Sequence, residues 1–129
     1  MISIDTSVLV GFVTNDEPRQ AKRARALIES TDILVTTTVL LESEWVLRAG
    51  YGFSAEEILR AFRTLLGIPG VQAESPERVA SAFQGLEGGL DFADALHLAC
   101  GETARQFATF DDKLVRRRKR MPGIAAVPV

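Results

Sequence analysis

Five short runs rich in apolar and β-branched residues, separated by stretches with helical spacing, constrain this chain more than any other feature. The runs are "MISID", "DILVTT", "GVQAE", "FATF" and "IAAVPV". Between them, "TSVLVGFV" opens a helix with Thr6 or Ser7 near its N-cap, and "EPRQAKRARALIES" repeats apolar residues at Ala21, Ala24, Leu27 and Ile28. "TTVLLESEWVLRAGYG" sets Val39, Leu40, Trp45, Val46 and Ala49 on one helical face, and "SAEEILRAFRTLLG" begins with a capping box, Ser54 with Glu57. A helix over "SPERVASAFQGL" and a last long one over "DFADALHLACGETARQ" complete the pattern. Strands joined through helices pair in parallel by right-handed crossovers, so the expected architecture is an α/β sandwich.

The length of 129 residues suits a single domain spanning 1–129. Hydrophobic residues make up 47% and charged residues 25%, as in an ordinary globular protein. No apolar run approaches the roughly eighteen residues of a membrane span, so no membrane partner is expected. The N-terminus lacks a basic region and Asp5 interrupts its apolar stretch, which argues against a signal peptide. A single cysteine, Cys100, excludes an internal disulfide framework and a multi-cysteine zinc site, and points to the cytoplasm. It reads as a small buried hydrophobe beside Leu96 and Ala99.

In parallel sheets ligands bind beyond the carboxyl ends of the strands. Asp5 ends the first strand and Asp111 follows the "FAT" strand, which places both acids on that edge. Asp91 and Asp94 share one face of the first turn of a late helix. Each acid also has a structural reading. Asp91 suits an N-cap as well as a site, Asp112 suits a cap of the short helix that follows it, and Glu44 reads as a solvated helix residue. His97 reads as a core or rim residue.

The four segments "IDTSVLV", "VLLESEWVL", "DFADALHLA" and "TFDDKL" together, in this order, resemble the PIN-domain family. The nearest likeness is to its VapC-type ribonuclease toxins from toxin–antitoxin pairs. The resemblance runs over essentially the whole chain. It implies a three-layer α/β/α sandwich with a mainly parallel central sheet of four to five strands. It also implies a pocket of three or four acids holding Mg2+ or Mn2+. By position, the catalytic acids are Asp5, Glu42, Asp94 and Asp111, with Asp5, Asp94 and Asp111 as metal ligands. Thr6, Ser7, Asp91, Thr109 and Asp112 are supporting neighbours, and Glu44 falls outside the pattern.

Carboxylates suit hard divalent ions, which lower the pKa of a bound water and neutralise phosphate charge. The expected reaction is RNA hydrolysis leaving a 5′-phosphate and a 3′-hydroxyl. The basic run of Lys113, Arg116, Arg117, Arg118, Lys119 and Arg120 reads either as an RNA-phosphate contact or as a solvated helix end. One rival function is a PIN-like module that binds RNA or protein without catalysis. Another is a metal-dependent phosphatase, which would want an acid where Ser7 stands. The resemblance further implies a small antitoxin partner and a homodimer, with Trp45, Tyr51, Phe53 and Phe62 as candidate anchors.

Overall fold

The computed structural model describes all residues from Met1 to Val129, and the chain divides into two compact units, Met1–Ser75 and Pro76–Val129. The first unit runs β1 (Ile2–Ser3), α1 (Thr6–Thr14), α2 (Pro18–Ser30), β2 (Ile33–Val35), α3 (Thr37–Trp45), α4 (Ala55–Leu66) and β3 (Val71–Ala73). Its three strands pair in parallel in the order β1-β2-β3, with Ile2 opposite Ile33 and Ile33 opposite Val71. The second unit holds α5 (Pro76–Glu87), α6 (Phe92–Cys100), β4 (Gln106–Thr109), α7 (Asp112–Arg117) and β5 (Ala125–Pro128), with β4 and β5 also parallel. The fold is therefore α/β with parallel strands, which hydrogen-bond as a group of three and a group of two. No helix is long and apolar enough to cross a membrane.

Local chemistry accounts for the element boundaries. Pro18 begins α2 because a first-turn residue needs no N–H, and the Glu17 side chain caps it by accepting from the Arg19 N–H. The Ser54–Glu57 capping box opens α4 as expected, both of its hydrogen bonds being made. Gly70 enters β3 at φ +87°, a left-handed conformation that favours glycine. Leu9, Ile28, Ile33, Val35, Leu40 and Phe62 are fully buried in the first unit, while Phe83 packs beside Phe92 in the second, ring centroids 6.2 Å apart.

Several sequence expectations are corrected. The N-cap of α1 is Asp5, with Thr6 the first helical residue beside it. The last long helix stops at Cys100 because Gly101 takes the C-cap, and residues 101–105 are turns. Cys100 is exposed rather than buried. The largest correction concerns α3, whose buried residues are Leu40, Ser43 and Glu44. Trp45 is 59% exposed, so the proposed face through Trp45 does not exist. The helix continues as a π-helical turn over Val46–Gly50, where the wider winding turns Leu47 into the core. Glu44 is 4% exposed, not solvated, because Arg48 one turn on supplies its ion pair at 2.8 Å. Among the candidate anchors, Phe62 is a core residue, Phe53 is half-buried, and Trp45 and Tyr51 remain on the surface.

Candidate active site

In the first unit the chain leaves β1, crosses the buried Ile4 and turns into α1 at Asp5. That turn fixes the carboxylate. Oδ1 accepts from the Thr6 N–H at 2.7 Å and Oδ2 accepts from the Ser7 hydroxyl at 3.2 Å. Asp5 and Glu42 wall one cavity of about 460 Å3, together with Asp16 and Glu17 from the α1–α2 connection. No lysine or arginine lines it. The Glu42 carboxylate is exposed and receives no hydrogen bond, whereas Tyr51 donates its hydroxyl to Asp16 Oδ2 at 3.1 Å on the same wall. The Thr6 hydroxyl, also in the wall, is buried and has no hydrogen-bond partner. A buried polar atom beside an ordered carboxylate is a free ligation or water-binding point.

In the second unit, Asp91 caps α6 by accepting from the Asp94 N–H at 3.1 Å. Asp111 caps α7, its Oδ1 accepting from the Lys113 and Leu114 N–H groups at 2.9 and 3.2 Å. Its own N–H donates to Thr109 Oγ1 at 2.9 Å. Asp112, expected as the cap, is instead the first residue of α7 and exposed. The Asp94 carboxylate lies above the ordinary aspartate range, first because burial disfavours its charge and then because Asp91 and Asp111 repel it, with His97 pulling weakly the other way. Asp91, Asp94 and Asp111 therefore share one electrostatic neighbourhood. His97 is exposed at the end of α6.

The basic run divides in two. Arg118 is committed to backbone, donating to the carbonyls of Met121 (2.8 Å), Gly123 and Ile124, and Arg120 donates to the Gly88 carbonyl at 3.2 Å. Lys113, Arg116, Arg117 and Lys119 stay exposed.

The donor set fits a hard divalent cation. Within neither unit do three of the acid, histidine or cysteine side chains stand together as a ready-made metal group. Magnesium does not require that, since it keeps several waters and takes one or two carboxylates. The wall around Asp5 and Glu42 that no lysine or arginine lines, the orphaned Thr6 hydroxyl and the Asp94 carboxylate repelled by Asp91 and Asp111 are all features that a divalent ion would relieve. Asp16 and Glu17 were not singled out from the sequence, although their place in the short connection before Pro18 beside an acid-ended strand was a usable signal.

Removing the Asp94 charge should stabilise the metal-free protein. An acid with a raised folded-state pKa holds its proton more tightly folded than unfolded, so its contribution is fully present below the ordinary aspartate value. It is lost as pH rises through the raised one, and the penalty is complete at neutral pH. Asp94→Asn lacks it. With solvent screening allowed for, a gain of about 0.5 kcal/mol is expected, or roughly 2 °C in melting temperature. The gain should vanish as pH is lowered past that window. Melts in EDTA and in magnesium check it: a lower melting temperature for Asp94→Asn in EDTA would make Asp94 a structural residue only.

A parallel α/β chain with acids at strand ends and helix starts belongs to the broad class of α/β folds that place their ligands beyond the carboxyl ends of the strands. More narrowly, the PIN domain model matches residues 2–120, and the chain belongs to the PIN domain family. Members of that family are generally metal-dependent nucleases that use divalent ions. No curated protein matches the chain.

Proposed function

We propose that the chain is a Mg2+- or Mn2+-dependent endoribonuclease acting in the cytoplasm as the toxin of a toxin–antitoxin pair. The observation that most supports this reading is the acid-walled, cation-free cavity at Asp5 and Glu42, in a chain matched to the PIN domain from residue 2 to residue 120. In this reading Asp5, Asp94 and Asp111 are the carboxylates that hold the ion. When bound, the ion supplies charge neutralisation on the phosphate and a water of lowered pKa. Thr6 and Ser7 hold Asp5 at a fixed orientation, so its oxygens need little reorganisation when phosphate charge develops. Glu42, whose carboxylate is free of donors, accepts the proton of the attacking water. Asp91 and Thr109 hold the backbone at Asp94 and Asp111.

The substrate is RNA, with the exposed Lys113, Arg116, Arg117 and Lys119 adding long-range attraction to its backbone. The partners are a small antitoxin and a second copy of the chain, with the exposed Trp45 as an anchor of the kind such contacts use.

Purified protein should cleave single-stranded RNA when magnesium or manganese is supplied and stop on addition of EDTA. Expressed alone, it should arrest growth. Cleavage that persists in EDTA would remove the metal mechanism, and intact RNA under every metal would favour the binding-module reading instead.

A further inference from the structure

Helix α2 carries Arg19, Lys22, Arg23 and Arg25 against one acid, Glu29. Ala21, Ala24 and Ile28 are buried, so the cations occupy the outward side. Arg25 has a use within the fold, lying over the Phe12 ring at 5.2 Å. Arg23 has no such use: its side chain is exposed and no carboxylate pairs with it. It walls a second cavity of about 450 Å3, formed with Ser7 and Val8 of α1 and with Gln20, Ala24 and Leu27 of α2.

This cavity shares Ser7 and Gln20 with the acid-walled one. Across those two residues the electrostatics reverse. On one side stand Asp5, Asp16, Glu17 and Glu42 with no cation, and on the other stands an unpaired guanidinium with aliphatic carbon and no acid. A free divalent ion would not choose the second cavity, since it offers no carboxylate. A ligand suited to both is a chain that puts one phosphate at the acidic pocket, through a cation, and a neighbouring phosphate with a flat apolar ring beside Arg23. Single-stranded nucleic acid has that repeat, because its bases are free to leave the stack. The cavity also has a size typical of sites for small ligands, which suits one nucleotide.

We propose that the α1–α2 cavity is the subsite for the nucleotide next to the scissile phosphate of single-stranded RNA. Arg23 binds its phosphate, Gln20 presents an amide to the base edge, and Val8 and Leu27 cover the base face. The assignment rests on the nuclease reading only in taking the acidic pocket as the place of the scissile phosphate.

The test is binding of a short labelled single-stranded RNA, followed by anisotropy with magnesium present, in the Glu42→Gln background, which removes the proton acceptor and keeps the carboxylates that would hold the ion. Arg23→Gln should weaken binding about tenfold, the loss of one charge-assisted contact. It should also flatten the dependence of log affinity on log salt by about 0.7. Lys22→Gln removes the same charge from the adjacent position of α2, outside the cavity wall, and should change neither quantity appreciably. Equal losses from both variants, or no loss from Arg23→Gln, would overturn the subsite. RNA cleavage by the chain with Glu42 intact, measured in parallel, decides the nuclease reading separately. Binding through Arg23 without cleavage would remove that reading and the link to a scissile phosphate, leaving the α1–α2 cavity as a binding site for single-stranded RNA only.

Discussion

Asp5→Asn and Glu42→Gln should each lower RNA cleavage by at least about a hundredfold. Even groups that merely orient metal ligands are worth roughly tenfold to a hundredfold. A carboxylate that itself holds the ion or takes the proton should exceed that range. Both residues wall the acidic cavity, and neither is buried in the core, so both variants should fold. Glu44→Gln provides the contrast. Its side chain is 5% exposed and paired with Arg48, and it lines no part of that cavity. It should lower the folded fraction and keep most of the cleavage rate per folded molecule. The assay is initial rate against magnesium concentration, normalised to folded protein by circular dichroism. If Glu44→Gln folds normally and is inactive while Glu42→Gln retains activity, the two acids of α3 have been assigned to the wrong roles.

What could be read from the sequence was what local chemistry decides. The parallel α/β pattern followed from β-branched runs separated by helices. The start of α4 followed from Ser54 and Glu57, and the start of α2 from Pro18. Short strings such as "IDTS" and "TFDD" carry position as well as composition; Asp5 and Glu42 share one cavity wall, and Asp94 and Asp111 lie near each other in the second unit. The misread elements share a physical cause. Helix α3 is apolar on more than one side, so its periodicity does not mark an inner face, and a π-helical turn then shifts the register by one residue. Nothing local announces that turn. A buried glutamate is likewise rare, so composition favours solvent for Glu44, and only the folded geometry of its ion pair with Arg48 permits its burial. Cys100 was misplaced because it ends its helix at Gly101, where the inner and outer sides are no longer continued. At "TFDD" two adjacent acids compete for one cap, and only the backbone turn at Asp111 decides between them.

Arg48→Ala should destabilise the chain by about 2 kcal/mol, unusually much for an exposed cation. Pairs at i,i+4 on a helix surface are worth roughly 0.3–0.5 kcal/mol. This pair differs because its acid is inside: Arg48 Nε donates to Glu44 Oε2 at 2.8 Å and Nη2 to Oε1 at 3.5 Å, with the arginine side chain 50% exposed and the glutamate 5%. Removing the cation leaves a desolvated carboxylate uncompensated, which costs about 3–5 kcal/mol when the pair is wholly buried. Water reaching the half-exposed arginine site trims that to the lower figure. The melting temperature should fall by roughly 6–10 °C. Replacing both partners by leucine should recover most of the loss, because the penalty belongs to the orphaned charge and not to the missing bond. An Arg48→Ala protein that melts like the wild type would show Glu44 to be solvated after all. The consequence for the site follows from helix geometry. Residues two apart on an α-helix point about 200° apart, so anchoring Glu44 inward turns Glu42 outward, onto the wall that also holds Asp5. The buried pair thus sets which of the two glutamates of α3 is available for chemistry. Arg48→Ala should accordingly slow cleavage at saturating magnesium, by displacing the proton acceptor Glu42, even at temperatures where the protein remains folded.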